Sequence, residues 1–170
     1  MRCFIAFELP ASAVQRCVDC QNVWKEEGIE GRYSSRENLH LTLAFCGELN
    51  EEQIKKVKEI FSGSCFEKIS VQTRGLVRFG QVAALSLCNN SKLLQVVDRL
   101  RTELKQTQIP FEDRPFKAHI TLLRKPKIPE NRTLPAPQPF CFELSRMVFY
   151  SSTLRPQGPI YTPLAEINAD

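Results

Sequence analysis

Two short segments of this sequence share one pattern, in which a histidine, an aliphatic residue, a threonine and a second aliphatic residue follow one another. They are His40-Leu41-Thr42-Leu43 and His119-Ile120-Thr121-Leu122, and they contain the only two histidines of the chain. Each lies in a run of apolar and β-branched residues, which predicts a buried β-strand. Because side chains alternate along a strand, each histidine shares a face with its threonine, about 6.6 Å away. The sequence therefore predicts one site flanked by two imidazoles.

The same alternation places the fifth residue after each histidine on the opposite face. These residues are Phe45 and Arg124. We therefore expect Phe45 to be either a core residue or a platform on which a nucleobase stacks. Arg124 can reach a phosphate only if the strand end twists or bulges.

The remaining periodicity predicts strands and helices in an order that repeats once. Helical spacing and end signals predict three helices, over about Ala11–Glu27, over Glu51–Ser62, and from a cap at Asn89–Ser91 to Thr107. Gly28 and Gly31 are expected to end the first helix. Besides the two histidine strands, strands are expected at Arg2–Glu8, Ile69–Arg78, Gln81–Cys88, Phe140–Ser151 and Ile160–Ile167. We expect a loop at 33–38, a turn at Ser152–Pro159 and an irregular segment at Lys125–Pro139. The histidines are 79 positions apart in 170 residues. We expect an α+β fold of two pseudo-symmetric lobes of antiparallel sheet, with helices outside and a central cleft, as one domain over residues 1–170.

Composition indicates the cellular compartment and the charge of the ligand more than it indicates the reaction. The formal net charge of +4 favours an anionic ligand but is too low for a dedicated nucleic-acid-binding domain. Seven scattered cysteines predict free thiols in a reducing cytoplasm. No apolar stretch is long enough to cross a membrane, so we expect a soluble, cytoplasmic protein that is a monomer.

Two imidazoles and two hydroxyls suit acid-base hydrolysis of a phosphodiester, because one histidine can deprotonate water while the other protonates the departing oxygen. The threonine hydroxyls can donate hydrogen bonds to phosphate oxygens. Zinc requires more ligands than this pattern supplies, so no metal and no cofactor is expected. Cys17-Val18-Asp19-Cys20 lies in a helical pattern and is expected only to pack. Four nearby cations, Arg114, Lys117, Lys125 and Lys127, either face solvent or contact an RNA backbone.

With these motifs, the chain resembles the two-histidine phosphoesterase superfamily, which has two His-x-Thr/Ser-x motifs. Within it, the sequence is most similar to the RNA 2′,3′-cyclic phosphodiesterases, which are also called 2′-5′ RNA ligases. The similarity extends to the opening segment Met1 to Pro10, to the segments Glu37 to Phe45 and Arg114 to Arg124 around the motifs, and to Tyr161-Thr162-Pro163-Leu164.

The resemblance implies hydrolysis of a 2′,3′-cyclic phosphate at an RNA 3′ end to a 2′-phosphomonoester, and ATP-independent 2′-5′ joining of RNA as the reverse chemistry. By carry-over, His40 is the proton donor and His119 the proton acceptor. Thr42 and Thr121 hold the phosphate, with Arg124 as a further substrate contact. Two alternatives stay open: a phosphodiesterase for small nucleotides such as 2′-5′ oligoadenylate or ADP-ribose cyclic phosphate, and a non-catalytic module that binds RNA ends.

Overall fold

The computed structural model describes residues 1–170 and contains nine strands and three helices. The strands are β1 (Arg2–Glu8), β2 (Glu30–Tyr33), β3 (His40–Glu48), β4 (Ile69–Phe79), β5 (Val82–Leu87), β6 (His119–Lys127), β7 (Cys141–Leu144), β8 (Arg146–Arg155) and β9 (Gly158–Asn168). The helices are α1 (Ala11–Glu26), α2 (Glu51–Gly63) and α3 (Ser91–Gln106).

The strands form two antiparallel sheets, each of which contains one histidine strand. One sheet has the order β3-β1-β8-β9 and the other has the order β2-β6-β5-β4-β7. Strands β3 and β6 contact each other between the sheets. The predicted α+β fold with two antiparallel lobes is therefore confirmed, and the two motifs meet where the lobes meet.

The helices begin and end close to the predicted positions because their end signals are strong. Asn50 and Gln53 form a reciprocal capping box at the start of α2, and the Asn90 side chain accepts from the Leu93 amide at the start of α3. Helix α1 packs against β6 and β7, and α2 packs against β9. The helices therefore cover the sheets and leave the cleft between β3 and β6 open.

Two expectations were wrong in detail. Gly31 does not help to end α1 but lies in β2, a strand that the sequence did not predict; it has a φ of 153°, and an added Cβ would lie 2.9 Å from the Arg124 carbonyl oxygen. The predicted strand Phe140–Ser151 is two strands that belong to different sheets. The break falls at Ser145, where the chain passes from one lobe to the other.

The strands around the cleft also extend further than expected. Strand β6 continues to Lys127, so the irregular segment begins later than predicted, and the β8–β9 turn is confined to Arg155–Gly158. The irregular segment is tied to α1 because the indole of Trp24, which is fully buried, donates to the Pro135 carbonyl at 2.8 Å.

One apolar core joins both sheets and all three helices. It includes four buried cysteines, and all seven cysteines are free thiols. Burial raises the pKa of Cys17 and of Cys46 to about 12, so these thiols are protonated and pack as small apolar groups. None of the helices is long and apolar enough to span a lipid bilayer.

Candidate active site

His40 begins β3 and shares a face with Thr42, as the strand alternation predicts. Its Nδ1 lies 2.6 Å from the Asn38 carbonyl oxygen, and its Nε2 lies 2.8 Å from the Thr42 hydroxyl oxygen. A carbonyl only accepts, so Nδ1 carries the proton, and in the neutral ring Nε2 accepts from Thr42. The rings of Phe4 and Tyr161 pack against the imidazole, with centroids 5.0 and 5.4 Å away.

His119 is held in the same way at the start of β6. Its Nδ1 donates to the Lys117 carbonyl, 2.7 Å away, and the Phe79 ring packs against it at 5.0 Å. Each histidine therefore bonds the carbonyl of the residue two positions before it. This bond fixes the tautomer and leaves Nε2 of both rings for chemistry in the cleft.

A β-bulge interrupts each histidine strand directly after its threonine. In β3, Thr42 and Ala44 lie opposite two consecutive residues of β1, so Leu43 is the extra residue. In β6, Thr121 and Leu123 lie opposite two consecutive residues of β5, so Leu122 is the extra residue. A bulge reverses the alternation beyond it. Phe45 and Arg124 therefore lie on the histidine face, where both line the cleft. The expectation from strand alternation, which placed both on the opposite face, was wrong.

The carbonyl of each bulged leucine accepts from a helix side chain. Arg101 of α3 donates to the Leu43 carbonyl through Nε at 3.1 Å and Nη2 at 3.0 Å. Gln21 of α1 donates through Nε2 to the Leu122 carbonyl at 2.9 Å and is 3% exposed. The Leu122 carbonyl also accepts from the backbone amide of Ser34 at 3.0 Å, so Gln21 supplies a second donor to it. The two helices therefore hold the bulges that orient Phe45 and Arg124.

Replacing Gln21 with methionine tests this support at Leu122, because the two side chains have similar shape. We expect a loss of about 1–3 kcal/mol of unfolding free energy from the missing hydrogen bonds. We also expect phosphoesterase kcat/KM to fall about tenfold, because Arg124 loses its fixed position. Urea unfolding and steady-state kinetics measure the two effects.

The matched control is Asn22→Met, which also replaces a side-chain amide with methionine, at an exposed position of α1. It should leave both quantities close to those of the parent protein. If Gln21→Met lost stability but kept kcat/KM, Gln21 would support the fold without positioning Arg124.

The cleft has two chemically different ends. The His40 pocket, about 320 Å³, is polar and is lined by residues that include Arg32, Tyr33, His40, Arg155 and Tyr161. The His119 pocket, about 480 Å³, is more aromatic and is lined by residues that include Phe45, Phe79, Arg114, Phe116, Lys117 and His119. Thr121 and Arg124 line both pockets. An anion seated at these two residues would have one histidine on each side.

The four cations near the second motif lie in different places. Arg114 and Lys117 line the His119 pocket. Lys127 approaches Glu30 at 3.9 Å, and Lys125 is exposed. Of the four, only Arg114 and Lys117 lie where they can contact a ligand in the cleft.

Sequence reasoning missed several residues that line the pockets. Arg32 and Arg155 come from β2 and from the end of β8, and no periodic pattern marks them. Gln21 did carry a signal, because it is a polar residue on the same helix face as Cys17, Cys20 and Trp24. The extra buried residue after each threonine also appears in the sequence as two adjacent apolar residues, Leu43-Ala44 and Leu122-Leu123.

Burial lowers the pKa of His40 from 6.5 to about 4. The hydrogen bond to Asn38 opposes this shift, whereas the electrostatic effects of Arg124 and His119 lower the pKa further. In the ligand-free protein at neutral pH, His40 is therefore uncharged. Arg124 is near enough to act on His40 although it belongs to the other histidine strand.

The pKa of His40 predicts an acid-sensitive stability. Between pH 6.5 and 4 the unfolded chain binds a proton at this position and the folded chain does not, so stability falls as the pH is lowered through this window. From pH 7 to pH 5 we expect His40 to account for a loss of about 2 kcal/mol. Urea unfolding at both pH values should show a smaller loss in His40→Asn, which does not titrate. Equal losses in the two proteins would contradict the lowered pKa.

No group of three or more His, Cys, Asp or Glu side chains is arranged to hold a metal ion. Cys17 and Cys20 are buried in α1, and burial raises the pKa of both thiols.

Two imidazoles that line adjoining pockets, each on a strand with a threonine on the same face, are typical of a phosphoesterase of the two-histidine class. The chain matches the model of the LigT like phosphoesterase family over residues 10–83 and 85–161, so that each matched block contains one motif. The protein belongs to the LigT like phosphoesterase family.

Relatives and solved structures agree with this assignment over nearly the whole chain. An RNA 2′,3′-cyclic phosphodiesterase of Thermotoga maritima is 30% identical, with 98% of this chain and 94% of the relative covered. The Escherichia coli protein of the same description is 28% identical, covering 96% and 93%. A Thermus thermophilus crystal structure superposes with a TM-score of 0.83 at 27% identity, covering 99% and 97%. Escherichia coli LigT complexed with 3′-AMP superposes with a TM-score of 0.81 at 25% identity, covering 99% and 96%.

Proposed function

We propose that this protein hydrolyses the 2′,3′-cyclic phosphate at an RNA 3′ end to a 2′-phosphomonoester by acid-base catalysis without a metal ion. The observation that carries the proposal is that His40 and His119 line two pockets that share Thr121 and Arg124. Relatives described as RNA 2′,3′-cyclic phosphodiesterases cover almost the full chain and support the substrate class.

The proposed roles of the two histidines give the reaction a direction. In an in-line displacement the nucleophile and the leaving oxygen lie on opposite sides of phosphorus. With His40 as the proton donor, the leaving 3′ oxygen and its ribose lie in the His40 pocket. With His119 as the proton acceptor, water attacks from the His119 pocket. Thr42, Thr121 and Arg124 then hold the non-bridging phosphate oxygens as negative charge increases on them.

The donor role requires that His40 gain a proton when substrate binds. The ligand-free cleft disfavours this proton because His40 is buried next to the positive charge of Arg124. A phosphodiester carries one negative charge, and beside Arg124 it offsets that repulsion and favours the imidazolium. The Thr42 hydroxyl, which donates to Nε2 of the neutral imidazole, then becomes free to turn towards the phosphate.

The same residues support 2′-5′ joining as part of the proposal. A ribose 5′-hydroxyl replaces water as the nucleophile, gives its proton to His119, and the 3′ oxygen takes a proton from His40. One phosphodiester bond breaks as another forms, so this reaction requires no ATP. Crystal structures of Escherichia coli LigT complexed with 3′-AMP, ATP and NADP+ support nucleotides as the ligand class.

Three substrates in the presence of EDTA test the proposal against its alternatives. They are a short RNA ending in a 2′,3′-cyclic phosphate, the corresponding cyclic mononucleotide, and a 2′-5′ oligoadenylate. The proposal predicts the highest kcat/KM for the RNA. Preference for either small substrate would favour a small-nucleotide phosphodiesterase. Binding of the RNA without turnover of any substrate would favour a non-catalytic RNA-end-binding module.

A further inference from the structure

Three arginines line the His40 pocket, and the protein supplies no opposite charge for them. Arg32 comes from β2, Arg124 from β6 and Arg155 from the end of β8. No Asp or Glu lines this pocket. All three arginines are exposed, and none of them takes part in an ion pair of the protein. The pocket therefore concentrates three positive charges that an anionic ligand can neutralise.

Two of these charges face each other across a pair of strands. Arg32 lies opposite Arg124 in the antiparallel ladder of β2 and β6. Like charges at opposite positions of a ladder repel each other and destabilise the sheet. Both side chains line the same pocket, so an anion bound between the two guanidinium groups offsets this repulsion. The pairing therefore suits a state in which the pocket holds an anion.

The reacting phosphate accounts for only one of the three charges. A cyclic phosphodiester carries a single negative charge, and Thr121 and Arg124, which line both cleft pockets, are placed to hold it. Arg32 and Arg155 line the His40 pocket alone. They therefore lie on the side of the cleft that the proposed mechanism gives to the leaving ribose, where a second anion can pair with them.

We infer that Arg32 and Arg155 bind the phosphodiester that joins the terminal nucleotide of the RNA to the nucleotide before it. This phosphate is attached to the 5′ oxygen of the leaving ribose, so it accompanies that ribose into the His40 pocket. Guanidinium groups bind phosphate oxygens through two parallel N–H donors. The inference rests on the proposed function and names the contact that separates an RNA end from a cyclic mononucleotide, which lacks this linkage.

The hairpin that carries Arg155 is tied to the residue that orients His40. The Asn38 side chain donates through Nδ2 to the Pro159 carbonyl of this hairpin at 2.8 Å. The Asn38 carbonyl accepts from His40 Nδ1 at 2.6 Å. The second phosphate site is therefore fixed relative to the proton donor, and an RNA that binds there has its terminal ribose positioned against His40.

Three substrates isolate the contact to the second phosphate. They are adenosine 2′,3′-cyclic phosphate, a diadenylate ending in a 2′,3′-cyclic phosphate, and the same diadenylate with an uncharged methylphosphonate as its internal linkage. The parent protein should prefer the natural diadenylate to the other two by about tenfold or more in kcat/KM, because hydrogen bonds to a charged group are the strong ones. Equal values for the two diadenylates would overturn the inference, since the internal charge would then not be recognised.

Two substitutions assign the contact to its residues. Arg32→Gln and Arg155→Gln should each lower kcat/KM for the natural diadenylate by about tenfold. Both should keep kcat/KM for the mononucleotide and the methylphosphonate within about twofold, because the partner of the lost guanidinium is already missing there. Arg78→Gln, which removes an exposed arginine of β4 that lines neither cleft pocket, is the matched control and should keep all three parent values.

Urea unfolding separates binding of the phosphate from support of the fold. Arg32→Gln should keep or raise the urea midpoint of the parent protein, because it removes the repulsion from Arg124. A lower midpoint together with equal losses of kcat/KM on all three substrates would make Arg32 a support of the strand pair. That result would contradict the inference.

Two further outcomes also count against a site for an internal RNA phosphate. Equal losses on the mononucleotide and the natural diadenylate in both variants would assign the two arginines to the reacting phosphate. With ADP-ribose cyclic phosphate as a fourth substrate, a preference over the diadenylate that both variants abolish would assign the site to a pyrophosphate. Absence of hydrolysis of every substrate by the parent protein is a distinct result, because it would overturn the proposed function itself.

Discussion

Replacing either histidine with alanine should lower kcat for cyclic phosphate hydrolysis by about 10²- to 10⁴-fold, because each variant loses one partner in proton transfer. Both imidazoles lie at the ends of strands and line the open cleft, so the fold should tolerate their loss. Single-turnover kinetics on an RNA with a 2′,3′-cyclic phosphate measures the chemical step. Retention of more than about a tenth of the rate in either variant would exclude a two-histidine mechanism.

A substrate whose leaving group needs no proton separates the two roles. With a 4-nitrophenyl phosphodiester, the departing nitrophenolate is stable as an anion. His40→Ala should then lose much less activity than it does on the cyclic phosphate, whereas His119→Ala should remain impaired. The reverse result would make His119 the donor and His40, which is uncharged in the empty cleft, the base.

Thr121→Val should lower kcat/KM for the cyclic phosphate by about 10²-fold, since it removes one preorganised donor to the phosphate. The substitution keeps the shape of the side chain. The Ser34 hydroxyl donates to the Thr121 carbonyl at 2.8 Å, so this hydrogen bond does not involve the Thr121 hydroxyl. We therefore expect the urea midpoint to change little while activity falls, as measured on the same preparation.

Thr162→Val is the matched control for this substitution, because Thr162 is an exposed threonine on β9. It should retain parent activity. Equal activity of Thr121→Val and Thr162→Val would mean that Thr121 does not hold the phosphate, and Thr42 with Arg124 would have to do so alone.

The placement of His40 and Thr42, and of His119 and Thr121, could be predicted because strand alternation is a short-range property of the chain. The helices were predicted for a similar reason, since Asn50 and Asn90 cap their first turns locally. The pairing of the two motifs in one cleft followed from the repeated pattern. These features depend on neighbours in the sequence or on symmetry.

The orientation of Phe45 and Arg124 could not be predicted from alternation because it depends on distant partners. The carbonyl of each bulged leucine accepts from a helix side chain distant in sequence, Arg101 for Leu43 and Gln21 for Leu122. Gln21 and Leu122 are 101 positions apart, so the residues next to either one do not indicate that contact. The strand β2 was missed because three of its four residues are exposed and show no apolar alternation.

The most direct test of the central claim is the structure of the product. A short RNA ending in a 2′,3′-cyclic phosphate is incubated with the protein and EDTA in ¹⁸O-labelled water and followed by phosphorus NMR. We predict a single 2′-phosphomonoester that contains one ¹⁸O atom, formed by attack of water and departure of the 3′ oxygen. A 3′-phosphomonoester, a mixture of both isomers or an unchanged cyclic phosphate would contradict the account.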